Sequence, residues 1–548
     1  MKFNEMSRIS CDVLVIGGGG AGLRAAIEAR HAGADVLLVS KSRVGYANNT
    51  YIAKSIIAAS GLGDSRDGSR VHLEDTVKGG RYLNDPELVS VMAQGAKDQI
   101  AFLEKCGVAF AKKDGRFQID YIAGHSFPRH VRGQNRTGSD LVLPLKRYAE
   151  KIGVRFADRV FITRLFSSGG RVAAASGVSH DGRFLVFTAG SVILATGGFG
   201  QVYLHTNNAA GITGDGQALA LHLGLPLKDM EFVQFYPTAT GSLGTRLILY
   251  EALVLNEGAI LKNRAGEDII LKHGLKDPMQ LTRDRLAQAI MREILTGDDV
   301  DGGVIMDLSP IAEERLASLS TLLPSTWYAD GKNLVVSPTT HFCMGGITID
   351  RNAETPLAGL FAAGETTGGV HGANRLGGNA LCEVFTFGGI AGQRAAARAE
   401  EMGPAEASRE MIQHEKARLE VHFRGNGADL KVLCRSLKQA MWLKAGILRD
   451  PEGLGEALEK ISHIGSKAAE ASIGKMADLI RCLELENMLL ISEVVCRAAL
   501  LRTESRGSHY RTDFPEEDKA HWLKNIVVEK GETGIRLETV PISKSIAG

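Results

Sequence analysis

Short apolar runs that stop at glycine clusters fill the first part of the chain and read as buried strands ending in turns. Val13 to Ile16 is such a run, and it predicts a strand, then a helix from Leu23 to Ala32 and a second strand from Val36 to Val39. Ser191 to Leu194 predicts another strand, and Gln217 to His222 a helix. From about Phe235 to Gly345 the pattern breaks into short strands and loops around one helix, Thr282 to Leu295, and it resumes at Gly359. After Gly392, apolar residues recur at helical spacing and predict helices over Ala405 to Phe423, Ala428 to Trp442, Gly453 to Ala471 and Met476 to Leu501. Strand-like alternation returns at Lys524 to Glu529 and Gly534 to Pro541, and no internal repeat is visible. The order predicts an α/β fold. A Rossmann-like domain in two parts (1–234 and 346–404) carries an insertion of α+β type (235–345), and a helical domain (405–515) and a tail (516–548) follow.

The first strand runs into Gly17, Gly19 and Gly22, a GxGxxG turn before a helix, which is a dinucleotide-binding arrangement. The second strand ends in Ser40-Lys41 where NAD-binding units favour an acidic residue, which argues mildly against NAD. Asp215, in Thr213-Gly214-Asp215-Gly216, reads either as an acceptor for ribose or ribityl hydroxyls or as a helix cap. Further on lies His371-Gly372-Ala373-Asn374-Arg375-Leu376-Gly377-Gly378-Asn379-Ala380-Leu381, after an apolar run ending in Gly364-Glu365. Arg375 offers a planar fork of donors suited to a carboxylate, and the glycines let backbone approach a ligand. Together these segments suggest a flavin with a carboxylate substrate held against it.

Composition narrows the picture. At 548 residues the chain has room for about two to four domains. With 64 Lys+Arg against 63 Asp+Glu, no global field favours nucleic acid. The seven cysteines form no CxxC pair, so neither an iron–sulfur cluster nor a structural zinc is expected in this chain, and no metal ligand is assigned. Cys343 and Cys382 read as small apolar filler. No apolar run approaches the ~20 residues that span a bilayer. The expected compartment is the cytoplasm, with membrane contact only through partner subunits.

Five segments in order carry a family resemblance: GGGGAG at the start, Ala195-Thr196-Gly197-Gly198, Thr213 to Gly216, His371 to Leu381, and Arg502-Thr503-Glu504-Ser505-Arg506-Gly507-Ser508-His509-Tyr510-Arg511. In this arrangement the chain resembles the succinate dehydrogenase/fumarate reductase flavoproteins, a family that includes L-aspartate oxidase. The resemblance implies a Rossmann-like FAD-binding domain, an inserted capping domain and a C-terminal helical domain. It implies FAD contacts at Gly17, Gly19, Gly22, Ser40, Lys41, Thr50, Asp215, Gly364, Glu365, Asn379 and Leu381. It also implies substrate-carboxylate binding by Arg375 and His341, a proton-shuttling Arg283, and Glu251 resupplying the proton. Taken alone, His341 reads as a structural histidine, Arg283 as a charged helix start and His371 as a loop-orienting residue.

Several positions depart from the family pattern. Tyr236 replaces a substrate-binding histidine, Tyr250 a threonine, and Val254 an arginine of the relay. Both tyrosines remain candidates for binding substrate. A one-residue shift would pair Glu257, instead of Glu251, with a family glutamate. Asn49 stands where membrane-bound members carry the histidine bonded to flavin, so the resemblance implies non-covalent FAD. Lys54-Ser55-Ile56 replaces Glu-Gly-Gly. The leading reading is an FAD-dependent oxidoreductase that interconverts an unsaturated and a saturated (di)carboxylate by hydride transfer at flavin N5, partnered by an iron–sulfur subunit. The alternatives are L-aspartate oxidase, favoured by His125-Ser126, and a flavin protein that only relays electrons within a larger redox complex.

Overall fold

The computed structural model describes residues 3, 5–241, 247–255, 257–275, 282–319, 332–424, 429–471, 473–532 and 534–542; for residues 247, 250–252 and 424 it describes the backbone alone. Strand β1 (Met6–Ile16), helix α1 (Gly20–His31) and strand β2 (Val36–Ser40) form the expected βαβ unit. β1 begins seven residues earlier than its apolar run. Its outer half pairs residue by residue with β6 (below), from Met6 opposite Phe184 to Cys11 opposite Ala189. In that half exposed positions alternate with less exposed ones, and only Cys11 is buried, so backbone pairing more than burial makes it a strand.

The sheet continues with β3 (Arg155–Asp158), β4 (Val160–Ser168), β5 (Arg171–Ser179) and β6 (Phe184–Leu194). Its order is β3-β2-β1-β6-β5-β4, and Leu360–Ala362 adds in parallel to β6. β1, β2, β3 and β6 run parallel, so the nucleotide turn lies at their carboxyl ends, where open α/β sheets bind ligands. Helix α2 (Asp215–His222) follows the sheet.

A second layer is built on β7 (Val233–Thr240), helix α3 (Arg283–Thr296) and β8 (Asn333–Cys343). β7 and β8 are the centre of a five-stranded antiparallel sheet. This layer has its own core, with Leu253, Leu261, Leu286, Ile290, Met306 and Val336. Helix α4 (Asn379–Met402) then returns to the first layer. Four helices follow, α5 (Arg409–Val421), α6 (Leu430–Lys444), α7 (Pro451–Ala468) and α8 (Met476–Leu501), all close to their predicted bounds. The closing hairpin, Lys524–Gly531 with Gly534–Pro541, pairs with Leu227–Lys228. Among the described residues, no helix is long and apolar enough to cross a membrane.

The helical part is fastened by a fully buried ion cluster. Arg502 Nε donates to Glu231 Oε1 at 2.7 Å and Nη1 to Glu504 Oε1 at 3.0 Å, while Arg506 Nε donates to the same Glu504 oxygen at 2.7 Å. Arg502, Glu231 and Glu504 have no solvent-exposed side-chain surface. Such clusters are costly to break one-sidedly, because the remaining charges stay buried. Arg502→Ala is expected to cost about 3–5 kcal/mol and to lower the thermal unfolding midpoint in scanning calorimetry. An unchanged midpoint would show that the cluster does not fasten the helices.

Candidate active site

The nucleotide turn is shaped by close backbone approach. Gly17 has φ +122°, and a Cβ there would lie 2.1 Å from the Ala195 carbonyl oxygen. A Cβ on Gly22 would lie 1.8 Å from Gly17 O. Both glycines are therefore required by the protein itself. Gly19 differs: the nearest atom to its Cβ would be 3.7 Å away, so the chain leaves room on the side where a pyrophosphate would approach. Thr50 Oγ1 accepts the Gly20 N–H at 3.1 Å, which fixes the start of α1.

Ser40 is buried at the end of β2. Lys41 Nζ reaches Asp215 Oδ2 and Thr213 Oγ1 at 2.7 Å and Glu484 Oε1 at 2.8 Å. Burial opposes the charge on Lys41, and the carboxylates of Asp215 and Glu484 more than restore it, raising the pKa. Asp215 also accepts from Asn487 Nδ2 at 3.0 Å. It does not cap α2, whose N-cap is Gly214 at φ +82°. Two residues expected at the cofactor thus meet each other and helix α8.

The start of α4 is the other half of the site. Gly364 (φ +78°) packs on Ala21 and Val384, and Leu381 is buried. Glu365 is buried and accepts from Asn49 Nδ2 at 2.9 Å and the Cys343 N–H at 3.1 Å. Asn49 in turn accepts the Ala209 N–H at 3.0 Å. The Asn379 side chain is engaged by His72 Nε2 at 2.8 Å and Thr76 Oγ1 at 2.9 Å, and its N–H by the Leu376 carbonyl. Helix α4 is 24 residues long and starts from left-handed Gly378 with no side-chain cap, leaving first-turn N–H groups for an electron-rich ligand. His371 Nε2 bonds Glu383 Oε2 at 2.9 Å and orients the loop. An extended dinucleotide with a ring at α4 and its phosphates at α1 fits these donors and this space.

Arg375, His341, Tyr236 and Arg283 are brought together above that floor. Arg375 is held by Gln234 Oε1, which accepts from Nη2 at 2.8 Å and Nε at 3.2 Å, and its guanidinium lies 4.7 Å from the Phe342 ring centroid. His341 Nδ1 lies 3.1 Å from the Asn207 amide, and its ring is 5.7 Å from that of Tyr236. Burial, then the charges of Arg375, Arg283 and Lys54, hold His341 well below the usual imidazole range, so it is neutral. The Arg283 guanidinium carbon lies 5.1 Å from the Tyr236 ring centroid. Arg283 is the first residue of α3, so the second layer supplies it.

Tyr250 and Glu251 lie on a π-helical turn, Tyr250–Leu255, and their side chains fall outside the described residues. Glu257 is paired with Arg315 at 2.6 Å, away from this cluster. Val254 is buried in the second-layer core. Cys343 and Cys382 are buried, as filler should be. Sequence reasoning missed Gln234 and Asn207, which hold Arg375 and His341. It also missed His130, which with His125 meets the Gly377 carbonyl. Their partners lie more than 100 positions away, and no local pattern marks them.

A family model described as FAD binding domain matches residues 12–381, and one described as fumarate reductase flavoprotein C-term matches 434–546. The chain is 37% identical over 542 residues to one subunit of the fumarate reductase (CoM/CoB) of Methanothermobacter marburgensis, covering 96% of this chain and 98% of that one. Among solved structures, Escherichia coli quinol fumarate reductase FrdA gives a TM-score of 0.89 at 28% identity, covering 99% and 98% of the two chains. Mycobacterium smegmatis Sdh1 gives 0.88 at 33%, covering 98% and 95%. These likenesses support the leading reading over L-aspartate oxidase and over a pure electron relay. The two matched regions, and relatives aligned along nearly the whole length, place this chain in the fumarate reductase/succinate dehydrogenase flavoprotein family of FAD-dependent oxidoreductases.

Proposed function

We propose that this flavoprotein reduces a small unsaturated dicarboxylate of the fumarate type, with FAD held non-covalently. The gathering of Arg375, His341, Tyr236 and Arg283 over the start of α4 carries the reading. FAD, when held here, would supply the hydride chemistry for one alkene carbon. Arg375, its fork already oriented by Gln234, holds one carboxylate as a charge-assisted pair. Neutral His341 donates a hydrogen bond to a substrate carboxylate without adding charge. Arg283 delivers a proton to the neighbouring carbon. It is a weak acid in water, and a dry site with a carboxylate to restore the proton makes the transfer feasible. Glu251, on the neighbouring π-helical turn, is that carboxylate.

Residues 235–345 act as the lid, since they carry Arg283 and Tyr236. Non-covalent attachment is supported by Asn49, whose amide is engaged by Glu365 and Ala209. The seven cysteines are all unpaired and scattered, so electrons enter through another protein, and an iron–sulfur subunit is the proposed partner.

Titrating the purified yellow protein with fumarate, succinate and aspartate tests the substrate. Fumarate or succinate is expected to perturb the flavin bands, and a response to aspartate alone would overturn the reading. Arg283→Ala is expected to lower the rate of fumarate reduction by about 10²–10⁴-fold while FAD content is kept; an unchanged rate would remove Arg283 from the proton path.

Glu365 provides a pH test. Burial pushes its carboxyl from 4.5 up to about 7 against the pull of its Asn49 and Cys343 partners. Folding then takes up a proton between those values, so the Glu365 contribution to stability falls as pH rises through that window. In protein freed of FAD, the part of the infrared protonated-carboxyl signal that Glu365→Gln removes should fade with a midpoint near 7. A band already lost by pH 5 would contradict the burial argument.

A further inference from the structure

Three buried histidines converge on the peptide that begins α4. His72 Nε2 meets Asn379 Oδ1 at 2.8 Å, while His125 Nε2 and His130 Nε2 both meet Gly377 O, at 2.9 and 3.1 Å. The His125 and His130 rings are 4.6 Å apart, and those of His72 and His125 are 6.0 Å apart. His125 is satisfied as a neutral ring: Nε2–H donates to Gly377 O, and Nδ1 lies 3.3 Å from Arg129 Nη1, which donates to it. His130 is different. Its Nδ1 faces Asp120 O at 3.2 Å, so both ring nitrogens oppose carbonyl oxygens. A neutral imidazole carries one N–H and serves one of them; only the imidazolium serves both. The ring is wholly buried and sits directly behind Gly378, where a Cβ would lie 2.6 Å from His130 Cδ2.

We infer that His130 is a positioning residue for the flavin that takes up a proton when the bound ring is reduced, completing its second hydrogen bond. This rests on the proposed function, in which FAD lies with its ring against the start of α4. Arg129 opposes a charge on His130 and Asp120 favours it, while His125 and His72 are pushed low and stand beside it as neutral rings. Asp120 is itself paired with Arg132 at 3.0 Å, which offsets its pull. Arg129 is itself bound by Asp67 at 2.7 Å and Asp75 at 2.8 Å, which offsets its field. Burial is the largest effect and keeps His130 neutral in the resting protein. Negative charge arriving on a ring at the α4 terminus tips this balance. Two electrons from an external donor and one proton convert FAD to its anionic reduced form. A second proton, from water, forms the missing N–H bond on His130, so two protons enter per electron pair.

Equilibrium redox titration of the FAD-loaded protein between pH 7.5 and 8.5, roughly one unit above the ordinary imidazole range, counts those protons from the slope of midpoint potential against pH. The wild type and His125→Gln are expected to take up two per electron pair, and His130→Gln one, all with full FAD content. Two protons in His130→Gln, or one in the wild type, would overturn the inference while leaving the FAD reading intact. A wild-type protein unable to bind FAD would overturn both. Should His130→Gln not fold, redox-difference infrared spectra of wild type carrying isotope-labelled histidine decide: an imidazolium band gained on reduction supports the inference, and its absence refutes it.

Discussion

The site depends on two helices packed so closely that backbone touches backbone. Val384, Gly388 and Gly392 of α4 lie against Gly20, Ala21 and Ala25 of α1, in that order. A Cβ on Gly392 would be 2.2 Å from Ala25 O, and one on Gly388 would be 2.8 Å from Ala21 O. Positions advance together along both helices, so they run parallel, and both amino termini open at the carboxyl edge of the sheet. Each terminus carries a partial positive charge and points its first-turn N–H groups out of the helix. One suits a pyrophosphate, and the other suits the electron-rich edge of a ring. A larger residue at either glycine would pry the helices apart and misalign the two ends of one extended cofactor.

Electrostatics then divide the site into a floor and a roof. Around the floor, burial drives ionisable groups toward neutrality: Glu365 is raised to about 7 and His125 is lowered to about 2. Above it, burial, and then the nearby Arg375 and Arg283, hold His341 neutral. A dianionic substrate would meet two fixed cations, while the cofactor beneath meets dipoles and groups of adjustable charge. Charge developing in a dry pocket is best stabilised by groups already in place. The Gln234 amide fixes the Arg375 fork before any ligand arrives.

Much of the scaffold was legible because its signals are local. The GxGxxG turn stands between a strand and a helix within a few dozen residues, and α8 occupies its predicted span from Met476 to Leu501. Helical periodicity reports burial of one face and needs no knowledge of the partner. What stayed hidden is held by distant partners. The outer half of β1 mixes polar and apolar residues and becomes a strand because β6 pairs with it. Gln234, Asn207 and His130 look like ordinary polar residues until Arg375, His341 and Gly377 are brought beside them. Asp215 shows the intermediate case: its motif was visible and read as a hydroxyl acceptor or a helix cap, and the fold removes the cap and adds a contact with Lys41 that the sequence did not suggest.

Three positions that depart from the pattern the resemblance implies have identifiable partners in this structure. Asn49, in place of a flavin-linked histidine, ties Glu365 to the Ala209 backbone, so the position still braces the floor. Lys54 replaces an acidic residue, and its Nζ reaches the Ile248 carbonyl at 3.1 Å, linking the first layer to the second. Tyr236 replaces a histidine and offers Arg283 an aromatic face, where a cation is attracted without an opposing charge. A phenol adds no charge of its own and carries a hydroxyl suited to hydrogen bonding. These contacts leave Tyr236, His341 and Arg283 gathered in one cluster, which is the arrangement on which the proposed handling of a dicarboxylate rests.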